Sequence, residues 1–103
     1  MISHIVLLSF KSEFSETEIK IKLDHLKNLM NIIPEIKSFT CGANNSPENL
    51  NKGFTHGFTM TFENSKDRDI YLRHKDHRKI AEEIIVPALK EGINSAIVFD
   101  YES

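Results

Sequence analysis

Apolar residues recur along the chain with two different periods, and the changes of period divide it into elements. Residues 2–10, ISHIVLLSF, are aliphatic and β-branched and stop at Lys11-Ser12-Glu13, which predicts a strand. Alternation puts Ile2, His4, Val6, Leu8 and Phe10 on one side of it and Ile5 and Leu7 on the other. The period then lengthens. Ser15 and Glu18 make a capping-box pair, and Ile19, Leu23, Leu26, Met30 and Ile33 follow at spacings of three and four. Together they predict an amphipathic helix of about 17 residues that ends before Pro34. Residues 36–43 return to an extended pattern and lead into a turn over 42–47.

The most regular alternation lies in residues 53–62, where Phe54, His56, Phe58, Met60 and Phe62 face one way and Thr55, Gly57, Thr59 and Thr61 the other. Asn64 or Ser65 caps a second helical region that runs to Val86, with breaks expected around His74 to Asp76 and before Pro87. Residues 94–101 make a last strand, with Asn94, Ala96, Val98 and Asp100 on one face and Ser95, Ile97, Phe99 and Tyr101 on the other.

Strand, helix, strand, strand, helix, strand is the βαββαβ order of an α+β ferredoxin-like fold, a four-stranded antiparallel sheet with both helical segments on one face. The opposite face would carry Ile5, Leu7, Ile97, Phe99 and Tyr101, a set too apolar to leave in water. A second copy of the chain is expected to cover it, giving a homodimer joined through the sheet.

Composition narrows the picture. With 103 residues, 40% of them apolar, the chain is expected to be one domain over 1–103. Thirteen Lys and Arg against fifteen Asp and Glu, a formal charge of −2, weigh against a nucleic-acid partner. Lys52-Gly53-Phe54 imitates the start of an RNA-binding strand motif, but His56 and Thr59 stand where that motif needs further aromatic residues. No apolar run approaches the roughly 18 to 20 residues of a bilayer span, and the first residues lack a basic leader, so the expectation is a soluble, cytoplasmic protein without a membrane partner. The single Cys41 excludes an intramolecular disulfide and reads as a small packing residue rather than a nucleophile.

Histidine carries the candidate chemistry, at positions 4, 25, 56, 74 and 77. His25 falls on the polar side of the first helix. His4 and His56 interrupt apolar faces of the first and third strands, which are adjacent and central in this fold. They are therefore expected near each other, in a polar pocket between sheet and helices. Tyr71, His74 and His77 follow at intervals of three and are expected to share one side of the second helical region, turned toward the sheet. His74-x-x-His77 lacks the third protein ligand of a catalytic zinc site, so no metal is expected. Acid–base chemistry needs less: an imidazole that titrates near neutrality and a tyrosine that donates to a carbonyl oxygen gaining charge. Phe58, Phe39 and Leu26 are expected to line the pocket with His4, His56 and His74.

Several stretches resemble the stress-responsive A/B barrel (Dabb) family of the dimeric α/β-barrel superfamily. They are His4-Ile5-Val6-Leu7 with Phe10-Lys11, Ile33-Pro34-x-Ile36, Gly42-x-Asn44, Lys52-Gly53-Phe54-Thr55-His56 leading to Phe62, Tyr71-x-x-His74-x-x-His77, and Val98-Phe99-Asp100-Tyr101. The resemblance implies a ferredoxin-like unit that dimerises through its sheet into a barrel. One member is a plant polyketide cyclase that needs no metal or organic cofactor. On that likeness His77 would act as base, Tyr71 would assist the enolising carbonyl, and Asp100 would orient His77. Three functions follow as expectations: a protein that binds a small apolar or carbonyl-containing molecule, a cofactor-independent lyase or cyclase, and a cofactor-free monooxygenase.

Overall fold

The computed structural model describes residues 1–103. β1 (Ile2–Leu8) leads to α1 (Glu16–Lys27), β2 (Ser38–Ala43), β3 (His56–Phe62), α2 (Ser65–Arg73), α3 (Lys75–Ile80) and β4 (Ala96–Glu102). The strands form one antiparallel sheet in the order β2-β3-β1-β4, and the helices cover one of its faces. The fold is the ferredoxin-like α+β arrangement that the pattern implies.

Alternation sorts the side chains. In β3, His56, Phe58, Met60 and Phe62 are buried beneath the helices while Gly57, Thr59 and Thr61 are only half-buried. In β1, Ile2, His4, Val6 and Leu8 are buried on the same side. Ile19, Leu23 and Leu26 come down onto this layer from the first helix and Leu29 from the turn after it, with Tyr71 and Ile85 from the second helical region and Leu89 from the extended residue that follows it.

α1 starts on a closed capping box, with the Glu18 N–H donating to Ser15 Oγ at 3.1 Å and the Ser15 N–H donating to Glu18 Oε1 at 2.9 Å. It ends sooner than its periodicity predicts, at Lys27, and Asn28–Asn31 tighten into a 3₁₀ turn. Three residues per turn instead of 3.6 rotate Leu29 into the core and leave Met30 half-buried. β1 stops at Leu8, and Phe10 joins the sheet's rim through a single bridge to Leu89. The third strand begins at His56 rather than 53, because Lys52 and Gly53 adopt left-handed φ values of 54° and 85°. Asn94 and Ser95 lie in a 3₁₀ turn, Gly92–Ser95, ahead of β4.

The second helical region breaks at the expected places. His74 is extended (ψ 132°), and its Nδ1 accepts the Asp76 N–H, capping α3. After Ile80 the chain widens into one π turn, Ala81–Ile85, and then a 3₁₀ turn, Val86–Ala88. Pro87 has no N–H to return to the carbonyl one turn back, and the Val86 N–H reaches five residues back, to the Ala81 carbonyl.

The other face of the sheet is bare. The register sets Ile5 opposite Phe99 and Leu7 opposite Ile97, so an apolar stripe runs across β1 and β4. Phe99 is 62% exposed and Tyr101 49%, values far above those of any core residue. No helix is long and apolar enough to cross a membrane.

Candidate functional site

A cavity of about 230 Å³ lies between the sheet and the second helical region. Its floor is His4, Val6 and Leu8 of β1 with Phe58 of β3, and Leu26 closes one side. Its roof is Tyr71, His77, Ala81 and Ile85, so the break at His74 and the π turn both shape it. Ile93, Leu72 and Val98 form an apolar rim, with Ile93 70% and Val98 60% exposed. Thirteen of the fifteen lining residues are hydrophobic, and none carries a fixed charge.

Tyr71 and His77 meet across the helix break, with ring centroids 4.2 Å apart. The Tyr71 hydroxyl is fully buried and has no hydrogen-bond partner. Burial raises its pKa far above that of an ordinary phenol, so at neutral pH it is a proton donor. His77 Nδ1 lies 3.2 Å from the Leu72 carbonyl. A carbonyl can only accept, so Nδ1 carries the proton and the neutral ring keeps a lone pair on Nε2. Burial is the main cause that lowers the pKa of His77, outweighing the hydrogen bond to the Leu72 carbonyl that raises it, and the net shift favours this neutral form.

Asp100 does not orient His77. The register places it directly opposite His4, and its Oδ1 accepts from His4 Nδ1 at 2.8 Å. Its Oδ2 accepts from Arg68 Nη1 at 3.1 Å, while Arg68 Nε donates to Asp69 Oδ1 at 2.9 Å. His4 is 3% exposed, and its ring sits edge-on to Phe62 and Tyr71. An ionised carboxylate only accepts, so His4 too holds its proton on Nδ1.

The two strand histidines are not neighbours. His4 pairs with Met60 and His56 with Leu8, four register positions apart, a separation of roughly 13 Å at the usual rise of a strand. His56 Nε2 binds Glu16 Oε2 at 2.9 Å and its Nδ1 binds Thr55 Oγ1 at 2.8 Å, which ties the start of α1 to the sheet. It lines a wider cleft of about 490 Å³ between α1 and β2, together with Phe39 and Cys41. Phe39 stacks on Phe58 at 5.5 Å and does not reach the cavity. His74 serves as the helix cap and lies outside it as well. Desolvation pushes the Cys41 thiol above its ordinary pKa, the opposite of an activated nucleophile.

The structure thus brings together His4, Tyr71, His77, Phe58 and Leu26 of the expected site, with Asp100 behind His4. It separates His56, His74 and Phe39 from them. Sequence reasoning missed Arg68, one of four consecutive charged residues over 66–69, and the Leu72 carbonyl, which no side-chain pattern signals. No three His, Cys, Asp or Glu side chains group in a way that would hold a metal ion.

A ferredoxin-like sheet with an apolar cavity under its helices defines the class of protein. Residues 2–103 match the Stress responsive A/B Barrel Domain family, and the chain belongs to it. It is 32% identical over 101 residues to the stress-response A/B barrel domain-containing protein HS1 of Arabidopsis thaliana, covering 98% of this chain and 88% of that one. It is 32% identical over 76 residues to olivetolic acid cyclase of Cannabis sativa, covering 74% and 75% of the two chains. Among solved structures, a hydroxynitrile lyase from Passiflora edulis superposes with a TM-score of 0.83 at 29% identity, covering 97% of this chain and 90% of that one.

Proposed function

We propose that this chain binds a small, neutral, mostly apolar molecule bearing a carbonyl oxygen in the cavity beneath its helices. The buried Tyr71 hydroxyl without a partner carries this reading. A buried hydroxyl left unpaired costs about 1 to 3 kcal/mol, and a ligand oxygen that accepts from it recovers that cost. No charged side chain lines the cavity to compensate the lost hydration of an ionic ligand, which favours a neutral one. Apolar cavities of about 150 Å³ accept benzene, so a volume of about 230 Å³ suits roughly nine non-hydrogen atoms.

Acetophenone has that size, and α-methylstyrene is the same shape with CH2 in place of oxygen. Calorimetric titration of both is expected to show the ketone binding roughly three- to tenfold more tightly, with the preference gone in Tyr71→Phe. Equal binding of the two by the wild-type protein would refute the reading.

A second reading is lyase chemistry, favoured by the bare Nε2 of a neutral His77 beside that hydroxyl. His77 would take a proton from a carbon next to the carbonyl, the C–H electron pair would pass into an enolate, and Tyr71 would donate to its oxygen. Relatives named a cyclase and a lyase are consistent with such a role. The apolar stripe of Ile5, Leu7, Ile97, Phe99 and Tyr101 supports a homodimer through the bare sheet face, with the cavity on the far side of each sheet.

A further inference from the structure

We infer that Arg68 is a positioning residue for the cavity: by clamping Asp100 it holds His4 in the Nδ1–H form and turns the Nε2 lone pair toward the ligand as a hydrogen-bond acceptor. The chain of contacts is continuous. Asn64 caps α2 by accepting the Asp67 N–H at 2.9 Å and so fixes the first turn that carries Arg68. Arg68 Nη1 reaches Asp100 Oδ2, and Asp100 Oδ1 reaches His4 Nδ1.

Each link is needed for a physical reason. Asp100 stands on β4, an edge strand, and its side chain keeps 20% of its surface in water. A carboxylate so placed can turn outward, and the guanidinium on its outer oxygen opposes that turn. The His4 ring is packed among Phe58, Phe62 and Tyr71 and cannot follow a departing partner. If Asp100 leaves, Nδ1 loses its acceptor and the ring is free to move its proton to Nε2.

The inference rests on the cavity reading above and sharpens its ligand. Tyr71 offers a donor and His4 an acceptor, so the fitting molecule carries a hydroxyl as well as a carbonyl oxygen. 2-Hydroxyacetophenone is such a probe, one atom larger than acetophenone. It is expected to bind roughly three- to tenfold more tightly than acetophenone, one added hydrogen bond. Arg68→Met removes that advantage and leaves acetophenone affinity unchanged, and Arg68→Lys restores it.

Ring-nitrogen NMR of ¹⁵N-labelled protein reads the His4 tautomer without any ligand. The wild type and Arg68→Lys are expected to show a protonated Nδ1 and a bare Nε2, and Arg68→Met a mixture. Arg68→Gln, neutral and too short to reach Asp100, repeats the test should the methionine variant fail to fold. An unchanged tautomer in the neutral variants, or a lysine variant that behaves like them, overturns the role of Arg68. If acetophenone does not bind the wild type, the cavity reading falls, and the tautomer spectra still decide the positioning role.

Discussion

Replacing Tyr71 with phenylalanine deletes one oxygen from a buried ring and nothing else. Most Tyr→Phe changes in a core break a hydrogen bond and destabilise, but here the hydroxyl has no partner to lose. Its desolvation, about 1 to 3 kcal/mol by the usual range for unpaired buried hydroxyls, is relieved in the variant. The ring keeps its contacts with Phe62 at 5.4 Å and His77 at 4.2 Å, so packing is conserved. The ligand-free variant is therefore expected to be more stable by about 1 kcal/mol, which for a domain of this size raises Tm by roughly 4 to 8 °C. Urea unfolding of both proteins without ligand measures it, with an unchanged m-value as the check that only stability has moved. A Tyr71→Phe protein less stable than wild type would show that the hydroxyl is already satisfied, by water held in the cavity, and would refute the argument. The same substitution is expected to weaken the proposed ketone binding, so stability and affinity should move in opposite directions.

Phe99→Lys places a charge in the middle of the apolar stripe, and because an isologous interface counts each change twice, a loss of about 1.5 to 3 kcal/mol per side chain is expected to weaken the proposed dimer by two or more orders of magnitude. Sedimentation equilibrium checks this, and a variant that dimerises like wild type places the interface elsewhere. His77 has a folded-state pKa below its ordinary 6.5, so the unfolded chain binds the proton more readily. Its contribution is complete above about pH 6.5 and is lost as the pH falls toward the lower folded value. Unfolding free energies of wild type and His77→Gln measured across that range should converge as the pH drops, and parallel curves would contradict the assignment.

Most of the fold is legible in order and spacing because its causes are local. The Ser15–Glu18 box, the two-residue alternation of β3, the interruption near His74 and the stop imposed by Pro87 each depend on residues within one turn of each other. The apolar stripe on the bare face follows from the same alternation once the strand order is known.

The grouping of the polar residues is a different matter, since strand register and helix termination decide it over long separations. A pairing of β1 with β3 that sets His4 against Met60 sends His56 to the far end of the sheet, and the pairing with β4 hands Asp100 to His4 instead of His77. Tyr71 and His77, six residues apart, meet only because the extended His74 between them resets the helical phase. Tightening after Lys27 likewise exchanged Leu29 for Met30 in the core. Local pattern assigned each residue to a face, whereas the neighbours on that face were chosen by hydrogen-bond ladders between segments as far apart as Ile2 and Glu102, which the free energy of the whole packed sheet selects.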